Sequence, residues 1–128
     1  MRFRYVIIFV SDLDRSVAFY RNLLGMEVRE EKDGAECTLG DVTLALRQAH
    51  VDTRMHHHPP MVTGSCRLGF AVDDVDAVCA RLTAAGLRCL GGPETKEGMR
   101  VALCEDPDGV NLTVASPVRD RGGEVPTR

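Results

Sequence analysis

Apolar residues fall in short bursts along the chain, and the bursts come in two matching series. Val6-Ile7-Ile8-Phe9-Val10 is an apolar run of strand length, and Leu68-Gly69-Phe70-Ala71-Val72 is its counterpart. Over ten residues, Tyr5-Val-Ile-Ile-Phe-Val-Ser-Asp-Leu-Asp14 and Arg67-Leu-Gly-Phe-Ala-Val-Asp-Asp-Val-Asp76 carry one pattern, the second copy starting 62 residues after the first. A later pair matches as well: Val42-Thr-Leu-Ala-Leu46 follows the turn Gly40-Asp41, and Val110-Asn-Leu-Thr-Val114 follows Asp106-Pro107-Asp108-Gly109. The chain reads as two related modules in tandem.

After each opening run the period changes from strand to helix. Ser11 and Asp73 are expected as N-caps, each with an aspartate three residues later, as in a capping box. Leu13, Val17, Tyr20 and Leu24 then recur at helical spacing before Gly25, and Val75, Val78, Cys79 and Leu82 before Gly86, the two glycines serving as C-terminal caps. Shorter strands are predicted around 26–31, 35–39 and 42–48, and again around 88–90, 99–104 and 110–115. Each module is therefore βαβββ, and the fold class is α+β. The expected organisation is one domain over 1–116, with modules at about 3–48 and 66–115, a linker at 49–65 and an exposed tail at 117–128.

Strand alternation sorts the side chains into two sets. Val6, Ile8 and Val10 share a face, as do Val42, Leu44 and Leu46, Leu68, Phe70 and Val72, and Val110, Leu112 and Val114. These aliphatic faces suit the undersides of the helices, where burial contributes roughly 1.5–3 kcal/mol per large side chain. The opposite faces are mixed. They carry Tyr5, Ile7, Phe9, Thr43, Arg47, Arg67, Asn111 and Thr113, with small Ala45, Gly69, Ala71 and Ala115 between them. Two sheets curling toward each other would turn these faces into a partly apolar trough with convergent polar groups, the usual form of a ligand site.

Composition narrows the partners. With 128 residues, 14.0 kDa, a net charge of -3 and a pI near 5.8, the chain has no electrostatic basis for nonspecific binding to nucleic acid or anionic lipid. Its longest apolar run is far below the roughly 20 residues of a membrane helix, and Met1-Arg2-Phe3-Arg4 has no signal-peptide pattern, so a cytoplasmic protein is expected. Five cysteines without a CxxC pair argue for reduced, mostly buried thiols rather than a disulfide framework. Cys79 belongs to the helix core, whereas Cys66 and Cys104 lie at strand ends near the expected trough mouth. The Asp106-Pro107-Asp108-Gly109 acids are expected to cap a tight turn rather than to act as a catalytic pair.

The tandem βαβββ pattern, the opening Val10-Ser11-Asp12-Leu13-Asp14-Arg15-Ser16 with Phe19-Tyr20 and Leu24-Gly25, and the late Glu105-Asp106-Pro107-Asp108-Gly109 together resemble the vicinal oxygen chelate superfamily. That superfamily includes glyoxalase I, bleomycin-resistance proteins, fosfomycin-resistance enzymes, methylmalonyl-CoA epimerases and extradiol dioxygenases. The resemblance implies a glyoxalase-like fold over about residues 3–115, and metal ligands on the first and last strand of each module. The corresponding positions here are Tyr5, Ala45, Arg67 and Thr113. Alanine offers no donor, guanidinium does not deprotonate to coordinate, and neutral tyrosine or threonine hydroxyls are poor ligands. With no His, Asp or Glu expected on the trough faces, a general base is also missing.

The resemblance therefore points to the metal-free, bleomycin-resistance-like branch: no catalytic residues, no metal and no cofactor. The expected ligand site is Tyr5, Ile7, Phe9, Thr43, Arg47, Arg67, Asn111 and Thr113. Tyr5 and Phe9 would give flat surfaces for a planar group, and Arg47 and Arg67 a positive interior for an anionic one. The rival expectation is a metal-dependent lyase, isomerase or dioxygenase recruiting an ion through His50 or His56, His57 and His58. A further reading is a regulatory partner protein without a small-molecule ligand. The resemblance also implies a homodimer, with modules facing each other within or between chains.

Overall fold

The computed structural model describes residues 1–49 and 66–118. The histidines at 50 and 56–58, most of the expected linker and the tail from 119 onward lie outside the described residues. The chain forms two compact units, Met1–Met55 and His56–Arg128.

In the first unit the order is β1 (Tyr5–Val10), α1 (Leu13–Ala18), a π-helical turn (Phe19–Leu23), β2 (Glu27–Glu31), β3 (Gly34–Leu39) and β4 (Val42–Gln48). In the second it is β5 (Arg67–Ala71), α2 (Val75–Ala84), β6 (Cys89–Lys96), β7 (Met99–Glu105) and β8 (Asn111–Pro117). Each unit is βαβββ, as the sequence predicts. Their four-stranded sheets are ordered β1-β4-β3-β2 and β5-β8-β7-β6. In each, the first and last strands are parallel and the remaining pairs antiparallel, giving mixed sheets. The helical connection after the first strand allows that parallel pairing, since parallel neighbours need a crossover rather than a hairpin.

Both helices begin one residue later than the sequence suggests. Asp12 and Asp74, not Ser11 and Asp73, are the N-caps: their backbones are extended, and Oδ1 of each accepts from the backbone N–H three residues on, at 3.1 and 3.0 Å. Ser11 Oγ instead accepts from Arg15 Nη2 at 3.4 Å. At the other end the units diverge. α2 closes with Leu87 N–H donating to the Leu82 carbonyl and Gly86 N–H to that of Thr83, both at 3.0 Å, with Gly86 at φ 84°, a Schellman cap. The first helix widens instead, Leu24 N–H reaching Phe19 and, just past Gly25 at φ 71°, Met26 N–H reaching Tyr20. The widening turns consecutive aromatics inward: Phe19 and Tyr20 are both buried, edge to face, with ring centroids 4.9 Å apart.

The aliphatic faces lie beneath the helices. α1 packs on β3 and β4, and α2 on β6, β7 and β8. Val10, Leu44 and Leu46 are buried with Val17 in the first unit, and Leu112 and Val114 with Val75, Val78 and Leu82 in the second. β6 is longer than expected, running on through Gly91-Gly92-Pro93 with register shifts against β7. Gly92, at φ 80°, permits this: a Cβ there would sit 2.6 Å from the Val101 carbonyl.

Gln48 ties the first unit together at one end. Its Nε2 donates to the carbonyls of Ser11 (2.8 Å) and Ala49 (3.2 Å), while Oε1 accepts from Leu13 N–H at 3.0 Å. The last residue of β4 thereby satisfies a backbone donor that the start of α1 would otherwise leave open.

Candidate functional site

The pairing registers reproduce the internal repeat. Tyr5 lies beside Thr43 and Arg67 beside Asn111, Ile7 beside Ala45 and Gly69 beside Thr113, Phe9 beside Arg47 and Ala71 beside Ala115. Each mixed face is therefore built from cross-strand rows. In the first sheet they are Tyr5, Thr43, Thr38 and Glu27, then Ile7, Ala45, Glu36 and Arg29, then Phe9, Arg47, Gly34 and Glu31. In the second they are Arg67, Asn111 and Glu105, then Gly69, Thr113 and Leu103, then Ala71, Ala115 and Val101.

Exposure separates the residues of these faces. Tyr5, Ile7 and Phe9 stand 55, 42 and 69% exposed along one side of β1, with Phe3 just before them at 86%. Large apolar groups at alternate positions of one strand, all facing water, form a surface that gains from being covered. Thr43, Arg47 and Thr113 are half-buried and Arg67 is exposed, whereas Ala45 and Asn111 are buried. Arg47 does not reach straight out: its Nη1 donates to the Leu46 carbonyl at 3.0 Å and lies 2.7 Å from where a Cβ on Gly34 would be. The missing side chain at Gly34 is what lets the guanidinium lie along the sheet beside Phe9. Over Gly69, by contrast, a Cβ would meet nothing within 4 Å.

Carboxylates on these faces, Glu27, Glu31, Glu36 and Glu105 among them, correct the expectation that none is present. Register places Glu36 beside Ala45 and Glu105 beside Asn111. Glu36 Oε1 accepts from Arg29 Nη2 at 2.6 Å. With Glu27 and Glu31 on the same face, the outer half of the first sheet is acid-rich around Arg29, which pairs with Glu36 and Glu31, and the cation beside the exposed β1 row is Arg47. Glu36 could be found only by extending alternation to β3, which carries no glyoxalase-type motif, whereas Glu105 opens the Glu105-Asp106-Pro107-Asp108-Gly109 motif and needs only the register of β7 against β8 to place it on the face.

The four strand positions that the resemblance implies as metal ligands do not fit a metal. Ala45 has no donor atom, Arg67 is a permanent cation, and Tyr5 and Thr113 offer only neutral hydroxyls. The Asp106 turn is structural, as expected: buried Asp106 accepts through Oδ1 from the N–H groups of Asp108 (2.8 Å) and Val110 (2.9 Å), with Gly109 at φ 86°. Cys104, in contrast, does not approach the mixed face. It lies opposite Leu112 and Cys89, on the helix side of the sheet and fully buried, because alternation from Leu103 turns it inward. Cys66 is exposed just ahead of β5.

The sequence profile of the Glyoxalase/Bleomycin resistance protein/Dioxygenase superfamily matches residues 2–114. A lactoylglutathione lyase from Haemophilus influenzae is 28% identical over 126 residues, covering 88% of this chain and 90% of that protein. The crystal structure of TnmS3, an antibiotic binding protein from Streptomyces sp. CB03234, superposes with a TM-score of 0.68 at 27% identity, over 91% of this chain and 96% of that one. A Bacillus halodurans crystal structure gives a TM-score of 0.74 at 23% identity, over 89 and 94% of the two chains, and shows the same fold.

Proposed function

Because this chain belongs to the Glyoxalase/Bleomycin resistance protein/Dioxygenase superfamily, we propose that it binds a planar, partly anionic metabolite or antibiotic on its mixed sheet faces and holds it unchanged, without a metal. The observation that carries this reading is the exposed row Tyr5, Ile7 and Phe9 beside the Arg47 guanidinium. Covering such a row removes apolar surface from water, at about 25 cal/mol per Å², and the aromatic rings prefer a flat partner. Arg47 supplies charge-assisted donors at one end of the row, where an anionic substituent belongs. Thr43 completes the set on the first sheet, and Arg67, Asn111 and Thr113 occupy the equivalent face of the second. The antibiotic binding named for the Streptomyces structure supports sequestration as a use of this fold.

Two further parts of the reading concern assembly and location. Among the described residues β1 and β5 each end the strand order of their sheet, and the gain from covering such an edge with a second copy supports a homodimer. All five cysteines are free, which suits a reducing cytoplasm, and among the described residues no helix is long and apolar enough to cross a membrane.

A thermal-shift and equilibrium-dialysis screen with planar aromatic carboxylates, followed by mass spectrometry of the recovered compound, tests the proposal. Expected is saturable binding, loss of it in Phe9→Ala and Arg47→Ala, and compound returned intact. Formation of lactoylglutathione from methylglyoxal and glutathione in the presence of divalent metal would overturn it in favour of the activity named for the Haemophilus relative.

A further inference from the structure

On the helix side of the second sheet, away from the mixed face, three thiols converge. Cys79 comes from the middle of α2, Cys89 opens β6, and Cys104 is its cross-strand partner on β7. Their Sγ atoms all lie within 4.8 Å of one another, and those of Cys89 and Cys104 are 3.5 Å apart. Three sulfurs bound to one ion at about 2.3 Å form a triangle with edges from about 3.5 Å (pyramidal) to about 4 Å (planar); the Cys89–Cys104 pair already has that spacing, and the remaining separations need to shorten by about 1 Å at most. The Cys89–Cys104 separation is well beyond the roughly 2.05 Å of a disulfide. Cys79 and Cys104 are buried, while Cys89 is partly exposed and offers a path inward from solvent.

We propose that Cys79, Cys89 and Cys104 form a binding site for a soft, three-coordinate ion that arrives as a neutral hydroxide, arsenous acid being the type. The choice among thiophilic ions follows from charge. Cys79 on α2 and Cys104 beneath it lie buried, where charge left unbalanced is poorly solvated. A divalent or monovalent ion held by three thiolates would leave net negative charge in this apolar setting, which is costly. Trivalent arsenic avoids that cost. Each of its three As–O bonds is exchanged for an As–S bond, each thiol proton leaves with a hydroxyl as water, nothing is oxidised or reduced, and the product is neutral.

The test is equilibrium dialysis of the full chain, kept reduced, against sodium arsenite, with bound arsenic measured by elemental analysis and free thiols counted by a chromogenic disulfide. Expected are one arsenic per chain, three thiols protected on binding, at least a tenfold weaker affinity in Cys79→Ala and Cys89→Ala, and no change in Cys66→Ser. Cys89 is partly exposed, so its alanine variant keeps the test valid if the buried Cys79 variant fails to fold. Wild-type uptake no greater than that of Cys89→Ala overturns the proposal, as does uptake lost in Cys66→Ser. Stoichiometric retention of Cd(II) with no retention of arsenite overturns the neutral-hydroxide assignment.

Discussion

The two modules share a topology and differ in what they do with it. The first has a short helix that widens to bury two aromatics, and a mixed face with large apolar groups exposed along β1. The second has a longer, Schellman-capped helix, a mixed face built around Gly69, Ala71 and Ala115, and three thiols beneath the helix where the first unit places Cys37 alone. A repeated scaffold thus fixes which positions face the helix and which face away, while leaving the chemistry of each side free to diverge. The first copy carries its distinctive residues on the open face and the second carries them underneath.

The largest effects expected from breaking this comparison lie in the cores. Tyr20→Ala removes a fully buried ring with an edge-to-face partner and should cost about 3–5 kcal/mol; Leu82→Ala should cost about 2–5 kcal/mol, both read from urea denaturation. Next come the two tight glycines. Gly34→Ala drives a Cβ to 2.7 Å from the Leu46 carbonyl, and Gly92→Ala to 2.6 Å from that of Val101. About 1–3 kcal/mol is expected for such overpacking, with Gly92→Ala the worse because its positive φ adds strain; thermal unfolding of both variants measures the gap.

The caps should behave alike in the two units. Asp12→Ala and Asp74→Ala each lose the same bond and should each cost about 1 kcal/mol, and a large inequality in urea midpoints would break the repeat symmetry at that point. Phe9→Ala, at an exposed position, should change stability by less than about 0.5 kcal/mol while abolishing ligand uptake, which separates binding from folding. The smallest effect concerns pH. Arg100 clasps Asp76 through Nε at 2.9 Å and Nη2 at 2.7 Å, and these bonds hold the Asp76 carboxyl below its ordinary 3.8. Its contribution is present above that value and disappears as pH falls through the lowered one. The gap in thermal midpoint between wild type and Arg100→Met should be small at pH 5 and close toward pH 2, since the pair is solvent-exposed.

Much of this architecture is legible in the sequence because it rests on periodicity. The repeat makes Tyr5 equivalent to Arg67 and Ala45 to Thr113, and the two sheets place these positions in matching register; alternation separates Leu112 from Thr113. Gly25 and Gly86 mark the helix ends through their left-handed backbones. What periodicity cannot supply is a choice between adjacent equals: Ser11-Asp12 and Asp73-Asp74 both offer two capping side chains, and only the backbone decides. The extension of β6 through Gly91-Gly92-Pro93 has no apolar signal at all. Glu36, Glu105 and the meeting of three cysteines depend on which strands become neighbours, a property of the whole unit and not of any local stretch.

The parallel pairing of first and last strands has a consequence for how such a chain can grow. A unit whose opening and closing strands run the same way takes the backbone in at one end of its sheet and releases it at the other. Genetic duplication of such a segment needs no recutting: a second copy can be spliced after the first, and each keeps its own hydrogen-bonded closure. Once both copies stand, mutations in one are no longer answerable to the ligand chemistry of the other, and a thiol cluster under one helix can accumulate while an aromatic row on the opposite copy is preserved.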